Sequence, residues 1–200
     1  MSHELRNDLG NMNRSILMNE EYLNRIIETQ ELSYEDANFL TTINGHIIRI
    51  SSDYKRITTN YLKKADNHEL SITFSTTAST FNRYFSMLET YHFNGNDTLT
   101  LNSKQLEQLK VMKEVTDIWV DIVKEHSEDL NIDATTEEKV QMFIDGQYNA
   151  LYNENNLITK NTWVDLLKEL SSNTEDYLKK EFTNINYDLN DLMSEGLYRE

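Results

Sequence analysis

Residues 5–26 read LRNDLGNMNRSILMNEEYLNRI. Apolar side chains recur in this stretch at alternating spacings of four and three residues, which is typical of one face of a long amphipathic helix. The positions on that face are Leu5, Leu9, Met12, Ile16, Asn19, Leu23 and Ile26. At 1.5 Å per residue, the pattern predicts a helix of about 32 Å.

One position on this face is polar. Asn19 stands where the spacing requires an apolar residue. A buried Asn between two helices fixes their register at some cost in stability. An Asn at the margin of the face would instead be partly exposed, and the sequence leaves both interpretations open.

The same periodicity predicts five further helices. They extend from a cap at Ser33 to Tyr61, from Leu70 to Leu88, from a cap at Ser103 to Val123, from a cap at Thr135 to Leu151, and from a cap at Asn161 or Thr162 to Leu192. Residues 71–80 are rich in Ser, Thr and Ile, which strands tolerate well. We nevertheless predict a helix there, because the aromatic spacing is helical and no second strand candidate exists to pair with it.

Local signals mark where these helices begin and end. Ser33 is followed by Asp36, and Thr135 by Glu138, which is the spacing of a helix N-cap and of a capping box. The segment 94–97 (Asn-Gly-Asn-Asp) predicts a turn between helices. Gly196 is placed to end the last helix.

Composition supports an all-α fold. The 200 residues include no Pro and only 5 Gly, and long helices exclude Pro whereas turns and sheet edges use it. We predict an antiparallel helical bundle of about six helices. The bundle would form a single domain over residues 1–200, with a possible sub-division near 94–102.

The charge balance excludes several partners. The chain has 34 Asp and Glu against 19 Lys and Arg, a net charge of −15. Nucleic-acid binding and adhesion to anionic lipid both rely on Lys and Arg, so we predict no nucleic-acid partner. No apolar run reaches the ~20 residues of a membrane span. Membrane contact is therefore expected only through segments outside this chain.

The motifs of common catalytic and metal sites are incomplete. There is no Cys, no Gly-x-Ser-x-Gly elbow and no phosphate-binding Gly loop. A di-iron bundle needs two Glu-x-x-His motifs, and Glu89 with His92 supplies one. The acidic loop that begins at Asp129 has Ala134 and Val140 where an EF-hand needs Gly and Glu. We predict no catalytic residue, no cofactor and no metal.

Two groups of residues are candidates for contact with a ligand or partner. Tyrosines can line a pocket between helices, because the ring packs while the hydroxyl bonds a polar group. A basic strip on the second helix is unusual in so acidic a chain. The candidates are Tyr54, Tyr61, Tyr84, Tyr91 and Tyr148, and Arg49, Lys55 and Arg56 in the strip.

These observations favour a non-enzymatic binding module with a protein partner or a small-molecule ligand. Amphipathic helices extend almost from the first residue to the last, as in a module adjoining membrane anchors. The leading expectation is an extracytoplasmic sensing or protein-interaction domain of a low-GC bacterium. The alternatives are a cytoplasmic adaptor that binds a partner through a helix face and, third, a carboxylate-rich enzyme built on a bundle. Ligand identity and oligomeric state are left open.

Overall fold

The chain folds into α-helices packed around one apolar core. A computed structural model describes residues 2–66, 69–93, 97–130, 132–152, 156–183 and 185–197. The helices in these ranges are α1 (Ser2–Thr29), α2 (Tyr34–Arg56), α3 (Thr73–Tyr91), α4 (Ser103–Glu128), α5 (Thr136–Ile144), α6 (Tyr148–Leu151), α7 (Thr162–Glu181) and α8 (Ile185–Ser194). The predicted all-α class is confirmed.

Neighbouring long helices are antiparallel, because the side-chain contacts between them run in opposite sequence order. These contacts are Asp8–Arg49, Asn19–Asn44 and Arg25–Asp36 between α1 and α2; Asn38–Glu89 and Thr41–Asn82 between α2 and α3; and Glu114–Tyr177, Trp119–Thr174 and His126–Glu169 between α4 and α7. The arrangement is the predicted antiparallel helical bundle.

The number of helices differs from the prediction, because two predicted helices are each divided. Gly146 adopts a positive φ of 75°, so the chain turns between α5 and α6. Phe182 is extended, with φ −127° and ψ 136°, and ends α7 before α8 begins. Described residues thus contain eight α-helices rather than about six.

Helix α2 also changes character before the predicted end. Its α-helical part stops at Arg56 and continues as a π-helix over Ile57–Leu62. Lys63, in the left-handed region with φ 54°, ends this segment. The Lys64 ammonium donates to the carbonyls of Thr159 and Lys160 at 2.7 and 2.6 Å, which ties this turn to the start of α7.

The helix expected over residues 71–80 is present as α3, which begins at Thr73, but the structure also contains a short strand pair that was not predicted. β1 (Glu31–Ser33) and β2 (Thr98–Thr100) pair antiparallel, with Leu32 opposite Leu99. Gln30, at φ 57°, turns the chain out of α1 and frees three residues to extend. The pair connects residues 98–100, just before α4, to the first half of the chain. The predicted turn at 94–97 lies, apart from Asp97, outside the described residues.

Most predicted helix ends are confirmed. The Ser33 hydroxyl accepts from the Asp36 N–H at 3.0 Å, and Thr135 with Glu138 forms a full capping box. At α4 the cap is Asn102 rather than Ser103, because the Asn102 side chain and Gln105 complete a capping box one residue earlier. Gly196 has a φ of 74° just beyond α8, as expected of a glycine that ends a helix.

The centre of the core is aromatic. Trp119 of α4 is fully buried between Phe74 and Phe81 of α3, at ring-centroid distances of 4.9 and 5.7 Å. Its indole N–H donates to the Thr174 hydroxyl of α7 at 2.8 Å. These contacts join three helices, so they fix the positions of the elements that surround the cleft described next.

Candidate functional site

An open cleft lies between α4, the end of α7, and α8. Its volume is about 800 Å³, within the range of ligand pockets. We call it the acidic cleft. Its walls are built from faces of three helices.

Helix α4 supplies one wall. Glu107, Val111 and Glu114 follow at spacings of four and three residues, so they share one face of the helix. Two carboxylates thus flank an apolar side chain over two helical turns. Another face of α4 carries core residues such as Trp119 and Met112. Because that face is buried, the Glu side chains point away from the core.

The end of α7 supplies the second wall, with Tyr177, Glu181 and Phe182. Because Phe182 leaves the helix in an extended conformation, its ring lines the cleft. The Tyr177 hydroxyl donates to Glu114 Oε2 at 2.7 Å. Burial, and then the neighbouring Glu114 carboxylate, raise the pKa of Tyr177, so this hydroxyl stays a neutral donor.

Helix α8 supplies the third wall. Asp188, Asp191, Leu192 and Glu195 recur at helical spacing and line the cleft. On the other face, Leu189 and Met193 are buried in the core. α8 is therefore amphipathic, with its carboxylate face toward the cleft.

Polar contacts hold α8 in place. The Gln108 side-chain amide donates to the carbonyls of Leu192 and Glu195 at 2.6 and 3.0 Å. His92 Nε2 donates to the Leu197 carbonyl at 2.9 Å. Carbonyls at the end of a helix accept no hydrogen bond from within the helix, and these side chains supply the missing donors. The hydrogen bonds therefore hold α8, the third wall, in place.

The cleft combines an apolar floor with a negative rim. Val111, Phe182 and Leu192 are the apolar lining residues. The rim carboxylates belong to Glu107, Glu114, Glu181, Asp188, Asp191 and Glu195. No Arg, His or Lys belongs to the described lining, so the surface favours cations that also carry an apolar part.

Lysines contact the rim from outside the lining. Lys104 pairs with Glu195 at 2.8 Å and with Glu107 at 3.2 Å. Lys180 pairs with Glu181 at 3.2 Å, and its own side chain is largely exposed. Among the described residues, no group of three or more His, Asp or Glu side chains is arranged to hold a metal ion.

The basic strip of α2 is engaged within the chain. Arg49 pairs with Asp8 at 2.9 Å and approaches Asp53 at 4.0 Å, while Arg56 pairs with Asp53 at 3.5 Å. Lys55 donates to the Leu70 carbonyl, and burial lowers the pKa of its ammonium. The strip is therefore largely neutralised by neighbouring groups.

Two of the tyrosine candidates belong to the core. Tyr54 is buried edge-on against Trp163, and its hydroxyl donates to Asp8 Oδ2 at 3.1 Å. Tyr84 is also buried, and its hydroxyl has no hydrogen-bond partner among the described residues. Burial raises the pKa of both hydroxyls, with Asp8 adding to the shift at Tyr54.

The other three candidates lie elsewhere on the molecule. Tyr148 covers the backbone of α1 and donates to Asn11 Oδ1 at 3.1 Å. Tyr61, in the π-helix, and Tyr91, at the end of α3, are exposed. None of the five candidate tyrosines lines the acidic cleft, so the structure does not bring them together into one site.

The two side chains of the Glu-x-x-His motif, Glu89 and His92, make contacts with different parts of the chain and do not form a common site. Glu89 accepts hydrogen bonds from Thr41 at 2.5 Å and from Asn38 at 3.3 Å on α2. His92 caps the end of α3, as a helix-terminal His is expected to do, and bonds Leu197. Both side chains act as links between helices.

Sequence reasoning missed the residues of the acidic cleft. A usable signal was present, because Glu107 and Glu114 stand seven residues apart with Val111 between them, and Asp188, Asp191 and Glu195 share one face of α8. The prediction of one unbroken helix to Leu192 placed that face on the continuation of α7, away from α4.

Comparisons with other proteins do not assign a function. The chain matches no protein-family model, no curated protein and no solved structure. Among the described residues, no helix combines the length and the hydrophobicity that crossing a membrane requires.

Proposed function

We propose that this protein is a non-catalytic binding module whose acidic cleft receives a cationic, amphipathic segment of a partner protein. The observation that carries the proposal is the combination, in one cleft, of an apolar floor and a carboxylate rim. An apolar pocket anchors a partner side chain, and the surrounding charges select which segment can enter.

The arrangement along α4 specifies the chemistry of that segment. Glu107 and Glu114 are about 10 Å apart along the helix axis, with Val111 between them. A partner helix with Lys or Arg seven residues apart and an apolar residue between them repeats the same spacing. Such a segment would place a cation at each carboxylate and an apolar side chain on the floor.

The net charge of the whole chain supports the same partner. At −15, the protein attracts cationic segments over distances of about a Debye length and repels acidic ones. The polar hydroxyls of the lining are already used, since Tyr177 donates to Glu114 and Ser194 donates to the Asn190 carbonyl. The cleft therefore offers acceptors to a cation and no activated nucleophile.

The experiment is isothermal titration calorimetry with a synthetic amphipathic peptide that carries Lys at its first and eighth positions and Leu at the fifth. We expect saturable binding that weakens with added salt. A peptide with Glu in place of both Lys should not bind. Spermidine, a cation without an apolar face, should bind more weakly than the peptide, and equal binding would overturn the choice of a protein segment.

A matched pair of double variants locates the site. Glu114→Gln with Glu181→Gln changes two cleft carboxylates and should weaken peptide binding by roughly fivefold or more. Glu21→Gln with Glu28→Gln makes the same charge change on the exposed surface of α1 and should alter affinity by less than about twofold. Failure of the peptide to saturate any protein, or equal losses in both pairs, would overturn the proposal.

A further inference from the structure

At one end of the acidic cleft, two rim carboxylates are already paired with a cation of this chain. Lys104, in the first turn of α4, donates to Glu195 Oε2 at 2.8 Å and to Glu107 Oε2 at 3.2 Å. The hydrogen bond to Glu195 is the largest cause of the raised pKa of Lys104, so its ammonium remains protonated. It thereby bridges two rim carboxylates from two different walls.

The other end of the cleft is different. Glu114 accepts from the hydroxyl of Tyr177, which is uncharged. A neutral hydroxyl does not offset the negative charge of Glu114, whereas the Lys104 ammonium offsets the charge of the carboxylates that it contacts. The two ends are about 10 Å apart along α4, close to a Debye length, so each end presents a separate potential to a partner.

We infer that Lys104 is a built-in competitor that pairs with Glu107 and Glu195 at one end of the cleft rim, where a partner's cation must displace it to bind. This inference rests on the proposed function and concerns its regulation. Ion pairs at partly exposed positions are weak. The Lys104 side chain is 34% exposed, so the contact is displaceable, and its removal should strengthen binding.

The test compares three variants with the peptide of the previous section. Lys104→Met removes the resident cation and should tighten binding by about threefold or more at low salt. Lys104→Arg retains a cation at the same place and should bind as the unmodified protein does. Thermal unfolding of each variant checks the fold, which should persist because the Asn102–Gln105 capping box of α4 does not involve residue 104.

Lys113→Met is the matched control. Lys113 lies on the same helix and pairs with Asp117 at 2.5 Å. Asp117 does not line the cleft, whereas Glu107 and Glu195, the partners of Lys104, do. Its substitution changes net charge by the same amount, so affinity should change by less than about twofold. Equal gains in peptide affinity from Lys104→Met and Lys113→Met would show that net charge alone is responsible, and this result would overturn the inference. A Lys104→Met protein with unchanged peptide affinity would also overturn it. In either case the proposed function would still hold, because the unmodified protein would still bind the peptide. Absence of peptide binding by the unmodified protein and all variants would contradict the proposed function.

Discussion

Asn19 of α1 and Asn44 of α2 donate hydrogen bonds to each other. Asn44 Nδ2 donates to Asn19 Oδ1 at 3.0 Å, and Asn19 Nδ2 donates to Asn44 Oδ1 at 3.4 Å. Each amide also donates to a carbonyl of its own helix, Ser15 for Asn19 and Leu40 for Asn44. Neither side chain is exposed to solvent. The pair therefore specifies the register of the two helices, because sliding one past the other would leave both amides buried without partners.

This reciprocal pairing predicts non-additive mutational effects. Asn19→Leu alone leaves the Asn44 amide with one partner in an apolar interface, which should lower the free energy of unfolding by about 1–3 kcal/mol. Replacing both residues by Leu removes both polar groups together, and the double variant should be close to the unmodified protein in stability. Chemical denaturation of the two single variants and the double variant measures the coupling. Losses that simply add in the double variant would contradict the pairing.

The same pair shows what the sequence could and could not predict. The position of Asn19 on the helix face follows from the periodicity of α1 alone, so it could be predicted without knowledge of other helices. Its partner could not be identified, because Asn44 belongs to another helix and many Asn residues compete for that role. Of the two interpretations left open for Asn19, the buried one is confirmed.

The features missed by sequence reasoning depend on contacts between distant segments. Leu32 and Leu99 lie opposite each other in two paired strands of three residues each. Strands of this length are too short to show a detectable alternating pattern in the sequence. The acidic cleft requires α8 to fold back beside α4, which follows from the extended conformation of Phe182 rather than from any repeat. Helices and caps were predictable because their signals are local, whereas a cleft between three helices is a property of their packing.

Gly10 of α1 permits the close approach of Tyr148. A Cβ built on Gly10 would overlap Tyr148 Cγ, which lies near the start of the side chain and cannot move without the ring. Gly10→Ala should therefore lower stability by up to about 2 kcal/mol, because an overpacking cost of about 1–3 kcal/mol is only partly offset by a helix-propensity gain of about 1 kcal/mol. Thermal or urea unfolding measures the change.

Gly45 of α2 is the matched control. A Cβ there would meet only Asn82 Nδ2, at 3.7 Å, an ordinary contact distance. Gly45→Ala should thus raise stability by up to about 1 kcal/mol through helix propensity alone. In a Tyr148→Ala background, Gly10→Ala should also become stabilising. A Gly10→Ala protein as stable as Gly45→Ala would show that the ring does not pack on α1 as described.

Tyr84 and Tyr152 are both buried but differ in their hydroxyl contacts. Tyr152 accepts from Asn13 Nδ2 at 2.9 Å, whereas the Tyr84 hydroxyl has no partner among the described residues. Tyr152→Phe leaves the buried Asn13 amide without its acceptor and should lower stability by about 1–3 kcal/mol. Tyr84→Phe removes an unsatisfied hydroxyl, so stability should be unchanged or higher. Urea denaturation ranks the two proteins, and the reverse order would contradict these contacts.

Three buried tyrosines and the partly buried Tyr177 also determine the response to alkaline pH. Burial is the main cause of the raised pKa of Tyr54, Tyr84, Tyr152 and Tyr177, with Asp8 adding at Tyr54 and Glu114 at Tyr177. An unfolded tyrosine has a pKa of about 10. Above that pH the unfolded chain releases protons that the folded chain retains, so stability is complete below about pH 10 and falls as pH rises further.

Parallel titration of tyrosinate absorbance and of helical circular dichroism tests this pH dependence. Of the 11 tyrosines in the chain, these four should form a late fraction, and Tyr54, Tyr84 and Tyr152 should ionise only as helical signal is lost. Tyr152→Phe should reduce the late fraction by one tyrosine, because its hydroxyl is buried beside Asn13. Ionisation of all tyrosines before any loss of helix would show that the burial of these four hydroxyls does not set the alkaline limit of the fold.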